Sequence, residues 1–222
     1  MSTTLLPGPR LATTLLVVAG SGVLAETLTS PLDGSSTLKD LGAIAAHETR
    51  FEVSVLVGLA ATVLFIPAFL GLAEAFAGSS RRVATTAGWL LAAAMAGFVA
   101  IRLGQAVELA GVQTGAARGE LARTVDGAAA TPIGAPILVM FLGGATVGLV
   151  LLAVAAWRAG MPKPACVLLA VFQPVDLALP DHPFPLGCVS HALLLTAFCW
   201  LAYDVRARAE VGRSEPVVAT AA

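Results

Sequence analysis

The chain has 222 residues, 57% of them hydrophobic and 12% charged, with a formal net charge of −1 and a mean hydropathy of +0.87. An average soluble domain is about 25% charged, and no water-soluble fold of this length has interior enough for so much apolar side chain, so lipid covers the remainder. A charge balance this close to neutral gives no basis for nucleic acid or an acidic substrate as partner; only the placement of the charges is informative.

Residues 1–10 are polar and close with Arg10. The first apolar run, 11–28, has Gly20 and Gly22 in its middle and Glu26 near its end. Arg10, the apolar core and Val23-Leu24-Ala25 also fit a cleavable signal peptide, but the run is long enough to span. The first long loop follows, with a turn at Pro31-Leu32-Asp33-Gly34. Thr37-x-x-Asp40 has capping-box form and opens a short helix with Leu38, Leu41, Ile44 and Ala45 on one side. That helix is expected along the membrane surface, delivering His47, Glu48, Arg50 and Glu52 to the mouth of the second span.

The second span is 51–77, with Pro67 able to kink it. A tight basic turn at Gly78-Ser79-Ser80-Arg81-Arg82 leads to the third span, 83–110. The loop after it carries Arg118, Glu120, Arg123 and Asp126, which fits a marginal surface helix. The fourth span, 132–157, has Gly144 and Gly148 in the GxxxG spacing that permits close helix approach. The fifth, 164–179, is the shortest and holds Gln173, Pro174 and Asp176. After a turn at Asp181-His182-Pro183 the sixth span covers 184–203 with His191 inside. The single transmembrane domain is 1–205, and 206–222 reads as a disordered cytoplasmic tail. No internal repeat is evident.

Six spans put both termini on one side. That side carries Arg10, Arg81, Arg82, Arg158, Lys163, Arg206, Arg208 and Arg213, in short segments. The other carries Lys39, Arg50, Arg118 and Arg123, spread over longer loops. The basic side is the cytoplasmic one, so both termini are expected in the cytoplasm.

Arg102, in GFVAIRLGQAVELA, is the one basic residue lodged inside an apolar span. A guanidinium stays charged at any ordinary pH and must find water, a headgroup or a carboxylate. The expected topology gathers its candidate companions at one depth, toward the outer face: Gln105 and Glu108 on its own helix, Glu26, Glu52, Gln173, Asp176 and His191 on others. Glu74 stands apart near the inner end, within reach of Arg81 and Arg82. One reading is a polar pocket in which Arg102 faces Asp176, Glu26 or Glu52 and His191 titrates, fit to bind an anion or pass protons. The alternative is structural. Arg102 lies six residues from Glu108, about 9 Å of helix rise, so it could snorkel to the outer headgroups. Equally, a pair with Asp176 could simply lock two helices; a lone mid-span carboxylate costs about 3 kcal/mol on the insertion scale, which one good pairing offsets.

No catalytic residue, cofactor or metal is assigned. Cys166, Cys188 and Cys199 lie in apolar runs without a CxxC pair, which argues against a disulfide framework. Cys188, His191 and His182 are the nearest approach to a metal set, and a bis-histidine haem lacks a second histidine at span depth. His47-Glu48 has no second histidine four positions after the first, and GxSxG and Walker A patterns are absent. An intramembrane enzyme is therefore the least supported class.

At VLFIPAFLGLAEAF with the Arg81-Arg82 turn, and again at AVAAWRAGMPKPACVLLAV, the chain resembles uncharacterised six-span small integral membrane proteins of high-GC Gram-positive bacteria. The resemblance covers most of residues 40–205 and implies a bacterial plasma-membrane location and six helices. It implies no activity and transfers no functional residue. The expected fold is an all-α polytopic transmembrane bundle of six helices with a short surface helix in the first outer loop. Its expected partner is the bilayer, with either a small polar solute or proton passing through the polar layer, or a membrane protein for which the bundle is a non-catalytic scaffold or regulator.

Overall fold

A computed structural model describes residues 6–32, 34–178 and 186–214. The described residues form α1 (Pro9–Thr29), α2 (Thr37–Ala46), α3 (Glu48–Leu72, continued by a 3-10 turn, Ala73–Ala75), α4 (Gly78–Gln113), α5 (Arg118–Ala128), α6 (Gly134–Arg158), α7 (Lys163–Ala178) and α8 (Leu186–Ser214). Five of them, α1, α3, α4, α6 and α8, are long and apolar enough to cross a membrane. Their outward faces carry Leu56, Val63, Val107, Val139, Val147 and Leu193, exposed in the isolated chain and suited to acyl chains. The molecule is a multi-pass helical membrane protein. With its 16 residues, α7 extends about 24 Å, short of the roughly 30 Å hydrocarbon thickness.

The long helices pack as a ring. α1 lies against α3 and α8, and the circuit continues α3–α4, α4–α6, α6–α7 and α7–α8. Small residues set how closely neighbours approach. A Cβ added at Gly148 of α6 would sit 2.6 Å from Leu91 Cγ of α4, and one at Gly144 would meet Ala94 Cβ at 3.1 Å. The GxxxG spacing therefore marks the α4–α6 contact.

The two ends of the ring are filled differently. Toward the end with the short connections, Leu16, Leu72, Leu91, Leu152, Leu169 and Leu201 bury completely or nearly so. They surround Phe65, Phe69 and Phe198; the first two stack at 5.3 Å between centroids and Phe198 meets them edge-on at 5.7 and 6.2 Å. The opposite end is looser. There α3 and α4 project beyond α1, and α2 and α5 fold over them: Leu41 and Ile44 of α2 pack with Phe51 and Val55 of α3 and Ala122 of α5. Thr37 Oγ1 donates to Asp126 Oδ1 at 2.5 Å, tying α2 to α5.

Several expectations shift. The cap of α2 is Ser36, one residue before the expected Thr37, with its hydroxyl accepting from Lys39 N. Leu38 is exposed, so the buried stripe of α2 is narrower than expected. The basic turn is shorter too. Helix α4 starts at Gly78, which takes φ +57°, and Arg81 and Arg82 already lie in its first turns. Pro67 does not interrupt α3. The expected tail is helical as far as Ser214. Arg208 explains part of that: it pairs with Asp204 one turn back and donates to Ala159 O and Gly160 O at the end of α6, while Arg206 reaches Thr14 Oγ1 at 2.7 Å. The turn at Asp181-His182-Pro183, the start of the sixth span at 184–185 and the stretch 215–222 lie outside the described residues.

Candidate functional site

Arg102 is buried at 6% exposure in the C-terminal half of α4. Its guanidinium meets the Glu26 carboxylate of α1 with both terminal nitrogens, Nη1 to Oε1 and Nη2 to Oε2. Nη1 also donates to Gln105 Oε1 at 3.0 Å, one turn along the same helix. The Phe98 ring lies under the guanidinium with its centroid 4.3 Å from Cζ. A two-pronged carboxylate contact suits the planar fork of arginine, so the cation is compensated inside the bundle and has no need to snorkel.

Gly58 makes this possible. A Cβ there would lie 2.5 Å from Glu26 Oε2 and 3.1 Å from Arg102 Cζ, so any larger side chain on α3 would displace the pair. Sequence reasoning passed over Gly58 and Phe98. Phe98 carried a usable signal, being four residues before Arg102 on one helix face. Gly58 carried none, because one glycine in an apolar span is ordinary.

The pairing also rejects two expected partners. Glu52 is exposed at the start of α3, and six residues separate it from Gly58, about 9 Å along the helix. Asp176 lies on α7, across the ring, and Glu26 already occupies the guanidinium fork. The expected layer is thus two groups, with Glu52 and Glu108 outside both, Glu108 lying instead beside α5 and α6 residues. Glu74 behaves as expected: Arg81 Nη2 donates to both its oxygens at 2.8 and 2.9 Å. Arg50 has a role not foreseen, donating from Nε to Thr29 O at 2.6 Å and so covering carbonyls at the end of α1.

Between the two polar groups is a cavity of about 340 Å³. All six ring helices line it. Glu26 and Arg102 form one wall; Gln173 and Asp176 of α7 with His191 of α8 form the other. Phe65, Phe98, Phe141 and Phe172 line the rest together with Val23, Thr27, Met95 and Leu194. Gln105 and Glu52 do not line it. On the far wall, His191 Nδ1 is 2.7 Å from Gly187 O, and since a carbonyl only accepts, Nδ1 carries the proton. The imidazole also meets Phe172 edge-on at 5.7 Å. Ser190 Oγ lies 3.3 Å from Asp176 Oδ1 and 3.0 Å from Gly187 O, with one hydrogen to share between them. Gln173 is 6% exposed, and no described residue hydrogen-bonds its amide.

Among the described residues no group of three metal-ligating side chains is gathered, and His182 lies outside them. Compared with protein-family models, curated proteins and solved structures, the chain finds no match.

Proposed function

We propose that the protein holds a small polar or amphipathic solute within the membrane, in the cavity between the Glu26–Arg102 pair and the Gln173, Asp176 and His191 wall. The observation that carries this reading is the convergence of all six ring helices on one space with polar groups on opposite sides. Its volume falls within the usual range for small-molecule sites, which are apolar spaces with a few fixed polar groups. Binding is better supported than conduction. Among the described residues, the phenylalanine cluster and the leucines beneath it fill the other half of the ring mainly with apolar side chains, and no charged group lies among them.

The proposal extends to orientation. Six crossings of a bacterial plasma membrane, with both helix ends of the chain at the cytoplasmic face, agree with the basic residues clustered at the short connections. In this arrangement α7 crosses where neighbours or local thinning accommodate a short helix. The test of binding is a thermal-unfolding screen of the purified protein against small cations, anions and neutral amphiphiles. Stabilisation that is lost when the cavity is filled by Thr27→Phe is the expected result. A panel inert across all three classes overturns the reading.

One observation favours a scaffold instead. The Glu26–Arg102 pair joins α1 to α4, helices not adjacent in the ring, and this is how a buried ion pair fixes one packing arrangement. A scaffold would respond to loss of the pair and ignore substitutions on the opposite wall.

A further inference from the structure

We propose that the solute is a small organic cation, an amine carried as its ammonium form on an aromatic or alkyl body. This rests on the cavity being a binding site, and it concerns the wall that the ion pair does not use.

Charge comes first. The described lining holds one permanent cation, Arg102, against two carboxylates, Glu26 and Asp176. Arg102 and Glu26 satisfy each other through both prongs, which leaves the Asp176 carboxylate as the unbalanced charge. No described cation contacts it; its described partner is the Ser190 hydroxyl, at a long 3.3 Å and in competition with Gly187 O. An anion would meet the Asp176 carboxylate and an arginine whose two terminal nitrogens are already taken by Glu26 and Gln105, with only the buried Nε left unpaired, so the pairing weakens the anion reading suggested by Arg102 alone.

Hydrogen-bond polarity points the same way. His191 donates through Nδ1 to Gly187 O, and in the neutral form of the ring this leaves Nε2 as an acceptor. Gln173, deeply buried and without a described partner, can present its carbonyl oxygen; it lies three residues from Asp176 on the same face of α7. A carboxylate, an imidazole nitrogen and an amide oxygen are three acceptors on one wall, the complement of an ammonium with its N–H donors. Phe65, Phe141 and Phe172 then line the space for the organic body, aromatic rings being better neighbours for a cation than for an anion, while Phe98 is already engaged by Arg102 and Phe141.

Three probes of matched shape separate the possibilities: phenethylamine, 2-phenylethanol and phenylacetate, cationic, neutral and anionic at neutral pH. Phenethylamine should raise the melting temperature of the purified wild-type protein in a concentration-dependent way and the other two much less. Asp176→Asn keeps the shape and the Ser190 contact. Without probe it should melt at or above the wild-type temperature, since an uncompensated charge is removed, and it should weaken phenethylamine about tenfold or more, the effect of losing a charged acceptor. Equal or better stabilisation by phenylacetate or 2-phenylethanol overturns the cation inference but leaves the solute site standing. Silence from all three, with the wider screen also silent, overturns both. If Asp176→Asn fails to fold, the wild-type ranking of the three probes still decides, and Phe172→Leu tests the wall: it should weaken phenethylamine, and an unchanged affinity overturns the placement.

Discussion

A bidentate Arg–Glu pair inside a membrane bundle is held by its surroundings as much as by its charges. Removing one partner strands the other in a space with little water, a loss of about 3–5 kcal/mol for buried pairs in general. Arg102→Ala and Glu26→Ala should therefore each depress folded yield sharply, while the double variant should recover part of it. Yield that falls further in the double variant would show that the two residues act separately. Gly58 belongs to the same unit. Gly58→Val forces atoms into the space of the carboxylate and should cost about 1–3 kcal/mol, read as a lower melting temperature. That penalty should shrink when Glu26 is already shortened to Ala, because the clash is with that side chain.

At the scale of elements, helix length and helix contact are governed by different residues. The α4–α6 contact depends on Gly148 and Gly144, where Leu91, Leu90 and Ala94 come close. Gly148→Val should loosen it and lower the melting temperature more than the same change at Gly143, where an added Cβ meets nothing within 4 Å. Equal effects would mean that the contact is not tight in the membrane. α8 is longer than its apolar run because Arg206 and Arg208 bind α1 and α6 side chains and carbonyls. Polar residues continue a helix when neighbouring chain ends give them partners, which composition does not reveal.

For the whole molecule, the ring separates into a packed apolar half and a half containing the cavity. Single cysteines in an otherwise cysteine-free protein should report the proposed orientation. One at Ser79 should react with an impermeant thiol reagent only from the cytoplasmic side, and one at Lys39 or Arg118 only from outside. Labelling of Ser79 from outside would reverse the bundle, and labelling of Lys39 and Ser79 from the same face would mean that α3 does not cross.

Much of this was legible in the chain itself. Apolar runs of spanning length are unambiguous because backbone groups in lipid leave few alternatives to helix, so five of the six expected spans appear as long apolar helices. The remaining one, the expected fifth span, appears as α7, a helix of expected position but modest length. Arg102 was conspicuous for the same reason, as a permanent charge in an apolar run. Which carboxylate would meet it was not legible. That choice depends on how far α3 and α4 rise above the end of α1, and on a glycine that leaves room between them, both consequences of packing between segments far apart in sequence. The sequence by itself determined that lipid surrounds these helices and that Arg102, a permanent charge within one of them, must be compensated. Only the tertiary structure decided that Glu26 does so and that Asp176 is left facing a cavity, because helix register fixes which charges can touch.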